Sequence, residues 1–311
     1  MERQEQTALE SGPIGRPEDR AAALRCWRGP VELEPLTGGI SNHNFVATDR
    51  GERFVVRIGD DVPAHGVSRF NEVAASRAAF AAGIAPELVH AEPGAMVLRF
   101  IENGRALSAA EVRRAPNLLR ILELVRRCHT ALPKFLRHPL PPFRVFRVVR
   151  RYCALLAKDQ SRLVEALPRL LAINEQLEAG AGSDALVLTH NDLLAANFVD
   201  DGERLWLIDW EYAGYNSALF DLGNISANST LSPDQEEWLL EAYYGAPVGA
   251  ELRRRYAAMK CASALREALW SAVSETYLAL DVDYVAYTDE HLGRFEQAYE
   301  GFRRSAARSA S

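Results

Sequence analysis

The chain has 311 residues, of which 48% are hydrophobic and 25% charged, and a formal net charge of −6. That length and composition suit a globular protein of two lobes with a sizeable core. Acidic and basic residues are interspersed, so there is no broad positive face for a nucleic-acid backbone, and nucleic acid is excluded as a partner.

Residues 1–20 are polar and lack an apolar segment, so they are expected to be a flexible arm, neither a signal peptide nor an anchor. No later stretch reaches the roughly 18 apolar residues that span a bilayer, which makes stable membrane insertion unexpected. Cys26, Cys128, Cys153 and Cys261 are singly spaced. They read as free thiols of a reducing compartment, which points to a cytoplasmic protein.

Residues 21–102 form the first lobe. Short β-type runs at Asn44–Ala47 and Arg53–Ile58 flank the polar turn Thr48-Asp49-Arg50-Gly51, a hairpin signal. An Ala-rich helical stretch follows at Asn71–Ala82, stopped by Gly83, and another apolar run lies at Met96–Ile101. Ahead of the hairpin, Thr37-Gly38-Gly39-Ile40-Ser41-Asn42 is a turn at which Gly38 and Gly39 allow close approach to phosphates and Ser41 and Asn42 add donors. Arg57 occupies the strand position at which a kinase holds ATP phosphates with a cation, and Glu72 on the next helix can pair with it.

Residues 103–311 form the second lobe, mainly helical. Helices are expected at Ser108–Thr130, Phe143–Ala157 and Leu163–Ala179, with the Pro-rich Leu132–Pro142 as connector. Strand signals return at Ala185–Thr189, Phe198–Val199 and Leu205–Ile208 and frame the polar run His190–Asn197, placing its side chains on loops at strand ends. Beyond Leu219 the chain reads as helix, with turns near Ser232-Pro233 and Gly245-Ala246-Pro247.

His190-Asn191-Asp192 with Asn197, followed by an apolar strand ending in Asp209, carries the chemistry. Phosphoryl transfer needs a carboxylate to orient or deprotonate the attacking hydroxyl, and oxygen ligands for magnesium to neutralise phosphate charge. Asp192 supplies the first, and Asn197 and Asp209 the second. His190 braces the loop. The G-x-G-x-x-G loop, strand Lys, D-F-G and A-P-E of protein kinases are missing, and with them the peptide-docking machinery.

These residues resemble the choline/ethanolamine kinases within the aminoglycoside phosphotransferase-like group. The likeness runs through residues 37–42, Val55-Val56-Arg57-Ile58, Gly83–Leu88, His190–Asn197 and IDWEYAGYNSALFDLGN from Ile208 to Asn224. It implies an α+β, bilobal protein-kinase-like fold using ATP and magnesium, with Asp192 as base, Asn197 and Asp209 as metal ligands, and Arg57 as an ATP contact. It further implies adenine against the linker from Arg99 to Ile101. The acceptor implied is a small-molecule alcohol, choline or ethanolamine, held by Glu211, Tyr212, Trp270 and Tyr287. A quaternary ammonium offers no ordinary hydrogen bonds, so aromatic faces and carboxylates must hold it; Trp210, Tyr215 and Tyr284 are further candidates for such a cage. The sequence departs from the resemblance at Ala227-Asn228, where an acidic residue is common, and at Glu267, where a second Trp can stand. An aminoglycoside, thiamine or another hydroxylated cation as acceptor, a pseudokinase without turnover, and a homodimer all stay open.

Overall fold

The computed structural model describes residues 15–36, 42–278 and 282–309. Gly38, Gly39 and Ser41 lie outside the described residues. The first lobe begins with helix α1 (Pro17–Ala22) and continues through β1 (Glu32–Pro35), β2 (His43–Asp49), β3 (Glu52–Ile58), α2 (Arg69–Ala81), β4 (Leu88–Glu92) and β5 (Ala95–Arg99). The strands form one antiparallel sheet in the order β1-β2-β3-β5-β4.

Period-2 alternation explains its two faces. Phe45 and Ala47 of β2 face Val56 and Phe54 of β3 across the ladder, and these side chains are buried with Ile58, Val97, Ala21 and Leu24. The arm therefore gives way to structure by Pro17: α1 lies on that apolar face, and Arg20 pairs with Asp60 at 3.0 Å. The next alternation places Asn44 opposite Arg57 on the other face. At the hairpin tip Arg50 and Gly51 both have positive φ, 53° and 83°. Primed turns of that kind match the right-handed twist of the flanking strands.

The second lobe runs β6 (Arg105–Ala106), α3 (Ala109–Val112), α4 (Ala115–Thr130), α5 (Val145–Lys158), α6 (Leu167–Ala181), β7 (Leu186–Thr189), β8 (Phe198–Asp200), β9 (Leu205–Leu207), β10 (Gly214–Ser217), α7 (Ala218–Ser229), α8 (Pro233–Tyr244), α9 (Ala250–Tyr277) and α10 (Tyr284–Ser309). The single helix expected over Ser108–Thr130 is two, α3 and α4, because Pro116 cannot occupy a helix interior and instead sits in the first turn of α4. Pro168 likewise delays α6 to Leu167. Small sheets β7-β10 and β6-β8-β9 frame the polar loops.

Helix α9 is the hub. Every residue from Ala258 to Ser274 except Lys260 is buried, and α9 packs against α5, α6, α7 and α10. A helix covered on all sides must be apolar or small all round, which its Ala-rich sequence satisfies. Gly223 is the reason α7 comes so near: a Cβ there would sit 2.8 Å from the Lys260 Cα and N. The buried charges Arg266 and Glu267 are exceptions in this interior. They lie at the site described next.

Candidate active site

Strand β7 pairs Thr189 with Gly214 and delivers the chain to His190-Asn191-Asp192. The loop turns at Asn191, where φ is +67°. Among residues with a side chain Asn tolerates that region well, and here its own amide is fixed by the carbonyl of Tyr212 at 2.9 Å and by the Thr189 hydroxyl at 3.0 Å. The FDLGN run of α7 holds the loop from behind. Fully buried Asp221 accepts the backbone N–H of His190 (2.9 Å) and of Asn191 (2.8 Å), and the side chain of Asn224 accepts the N–H of Leu193.

His129 lies 3.0 Å from the same Asp221 carboxylate through Nε2. A carboxylate only accepts, so that nitrogen carries the proton. His190 is buried with both ring nitrogens engaged: Nε2 meets the Ile208 carbonyl at 3.0 Å and Nδ1 the Asp192 N–H at 3.3 Å. Burial lowers its pKa, and the ring serves as a neutral brace.

The brace ties the loop to the strand end. Asn197 donates its side-chain amide to the Asp192 carbonyl at 2.8 Å, and its main-chain carbonyl accepts the Ile208 N–H at 3.0 Å. The next residue, Asp209, has φ +68°. Two side-chain-bearing residues in the left-handed region flank the site, a form of strain that tends to gather at functional centres.

From the other lobe Arg57 reaches Glu72 (2.9 Å), Asp209 (2.9 Å) and Glu211 (3.2 Å). Arg69 joins Glu72 (2.5 Å) and Glu211 (3.0 Å) and binds Asn42. Glu211, expected with the aromatic residues, thus belongs to the ion-pair cluster. Burial opposes the Arg57 charge, but Asp209, Glu72 and Glu211 more than offset it and raise its pKa. Glu72, Asp209 and Glu211 offer carboxylate oxygens within 4.8 Å of one another. Three carboxylates face two guanidiniums, and hard oxygen donors with excess negative charge fit magnesium. Arg99 pairs with Glu52 (2.7 Å) and lies over Phe54.

Toward α9 Asp192 is buried beside Arg266, whose Nη1 is 3.2 Å from Asp192 Oδ1 and 2.8 Å from Glu267 Oε2. Desolvation, only partly countered by Arg266, pushes the Asp192 pKa up to about 8. Trp270 donates to the Tyr212 hydroxyl at 2.7 Å, and Tyr287 donates to Glu267 at 3.0 Å. The Trp270 ring stands 6.3 Å from Tyr287 and 6.2 Å from Tyr284. Trp210 instead packs on His190 at 4.7 Å. Arg266 and Arg69 were not singled out from the sequence, because nothing in a local pattern distinguishes a buried helix Arg from a surface one; Asp221 stood in the run that carries the resemblance, but with no role given to it.

His65 closes the floor, 3.2 Å from the Tyr152 hydroxyl and 3.1 Å from that of Ser274. Burial, then Arg266 and Arg151, lowers its pKa to about 3. The unfolded chain therefore takes up this proton below about pH 6.5 while the folded one does not, so stability is present above that value and is lost as pH falls toward 3. Linkage puts the loss at about 2 kcal/mol by pH 5. His65→Gln should remove that slope, seen as a smaller fall in melting temperature from pH 7 to 5 than in the wild type; parallel profiles would refute it.

The family model for choline/ethanolamine kinase matches residues 33–238. Protein LicA of Haemophilus influenzae is 31% identical over 211 residues, covering 66% of this chain; the match spans 61% of LicA's own length. Mouse ethanolamine kinase 2 is 27% identical over 300 residues, covering 87% of this chain and 76% of the relative. The crystal structure of a choline/ethanolamine kinase family protein from Mesorhizobium loti superposes with a TM-score of 0.74 at 30% identity, covering 93% of this chain and 97% of that one. The bilobal fold is thus protein-kinase-like, and the loop braced by Asp221 and Asn224 lies within the matched span. By that match the chain belongs to the choline/ethanolamine kinase family.

Proposed function

We propose that the chain is an ATP-dependent phosphotransferase acting on the hydroxyl of a small amino alcohol, of the choline or ethanolamine kind. The observation that carries this reading is a buried Asp192 on a loop hydrogen-bonded through Asn197 to the residue before Asp209. Asp192 takes the hydroxyl proton as the acceptor oxygen bonds to the γ-phosphorus and the bond to the β,γ-bridging oxygen breaks, releasing ADP. Arg57, fixed by Glu72, holds the phosphates. Asn197 and Asp209, with Glu211 alongside, would hold magnesium, which supplies charge neutralisation at the phosphates when bound. The adenine is assigned to the linker from Arg99 to Ile101, and the nucleotide phosphates to Gly38, Gly39, Ser41 and Asn42. Tyr212, Trp270 and Tyr287 surround the acceptor. A cytoplasmic location suits this chemistry, and among the described residues no helix is long and apolar enough to cross a membrane.

The test is ADP release from purified protein with ATP and magnesium, with choline, ethanolamine, thiamine and an aminoglycoside as acceptors. Release stimulated by an amino alcohol is expected. Nucleotide binding without release on any alcohol would sink the reading.

A further inference from the structure

A cavity of about 630 Å³ lies behind α2, between that helix, the β4–β5 hairpin and the connector from α4 to α5. Arg57 and Glu72 close its inner end, but Asp192, Asn197, Asp209 and the Arg99–Ile101 linker take no part in its lining, so it is separate from the cleft described above. Phe70, Ala74, Arg77 and Ala81 recur at helical spacing, which lays one stripe of α2 along the cavity. At the rise of an α-helix that stripe is about 16 Å long, and Ala91 of β4 and Met96 of β5 line the cavity from the sheet side. The space is elongated and mostly apolar, of a size that suits a small ligand.

Charge selects the ligand. Of the lining carboxylates, Glu72 is held by Arg57 (2.9 Å) and Arg69 (2.5 Å), and Glu92 meets His90 Nε2 at 2.9 Å. Arg77 and Arg137 also line the cavity, are exposed, and have no ion pair among the described residues. Two free guanidiniums therefore stand at its mouth. Phe70 and Phe135 lie beside them, 70% and 46% exposed, and Phe70 stacks on His138 at 4.7 Å, so both lobes contribute to the opening. Large apolar side chains left in water around an apolar cavity mark a binding surface. A ligand with an apolar body and one anionic end satisfies both features, whereas an amino alcohol carries the wrong charge and a nucleotide would place several charges against an apolar wall.

We propose that this cavity is a second binding site, and that its ligand is a linear aliphatic carboxylate of medium chain length. The tail lies along the α2 stripe, where Ala74 and Ala81 leave a channel beside the helix. The carboxylate sits at Arg77 and Arg137, whose planar guanidiniums match it bidentately. No bond is made or broken there.

Calorimetric titration of the full chain with decanoate below its micelle concentration tests it, with butyrate lacking most of the tail and 1-decanol lacking the charge. Saturable one-to-one binding of decanoate is expected, tighter than that of butyrate by at least about 100-fold from the extra methylenes buried. Replacing both arginines, Arg77→Gln with Arg137→Gln, should weaken decanoate by at least about 10-fold and leave 1-decanol unchanged. Ala74→Phe, which puts a ring into the channel, should weaken both. Both changes lie on partly or fully exposed positions outside the catalytic cluster, and unchanged melting temperatures will show that the fold is kept. No saturable binding, equal binding of 1-decanol and decanoate, or decanoate binding that survives both variants overturns the inference. So does a wild-type dimer that Phe70→Asp turns into a monomer, which would give the cavity to a second copy of the chain. The titrations use no ATP, so their failure leaves the phosphotransferase reading untouched.

Discussion

Asp192→Asn is expected to lower turnover on the best acceptor by about 100- to 10,000-fold, the usual worth of a positioned general base, while making the folded protein more stable. The amide keeps the size and some of the hydrogen bonding of the carboxylate but cannot take the hydroxyl proton. Stability moves the other way because the carboxylate is desolvated. Its pKa in the folded protein is about 8, against an ordinary 3.8. Between those values the folded state holds a proton that the unfolded state has released, so stability falls as pH rises from about 4 to about 8 and is then flat. Removing the ionisable group removes that fall, a gain of about 1 kcal/mol or more at pH 8. Chemical denaturation of the magnesium-free protein at pH 5 and pH 8 measures it. Wild-type turnover in the variant would remove Asp192 as the base, and an unchanged pH slope would remove the desolvation account.

Asp221→Ala should do the reverse, costing about 3–5 kcal/mol because it leaves buried donors unmatched. His190 N, Asn191 N and His129 Nε2 all point at this fully buried carboxylate. Asp221→Asn should be nearly as damaging, since its amide NH2 would face a donor. Turnover should fall as well, because the loop that aims Asp192 is released. A urea midpoint within error of the wild type would mean the loop is held by other contacts. The two Asp residues are both buried, yet one is a cost to folding and the other a support, and the difference lies in how many donors each one meets.

The sequence made the hairpin at residues 48–51, the Ala-rich helix near residue 71 and the strand-framed loop at 190–197 readable, because alternation, glycine stops and motif offsets are local. It misplaced helix starts at Pro116 and Pro168, where a proline set in the first turn was read through. Strands β4 and β10 escaped notice because they are short and lack alternation.

At the site, the spacing of His190, Asp192, Asn197 and Asp209 pointed to phosphoryl transfer before any coordinates, since those residues lie within 20 positions of one another. That Arg57 and Glu72 pair was legible from the strand-helix order. What the sequence could not yield was which side chains meet across long separations. Glu211 joining Arg57 and Arg69, Asp221 clamping the loop from 30 residues away, and Arg266 beside Asp192 from 74 residues away all depend on how α2, α7 and α9 pack. Chemistry of a single loop is written in local order, but the partner of a buried charge is chosen by tertiary packing.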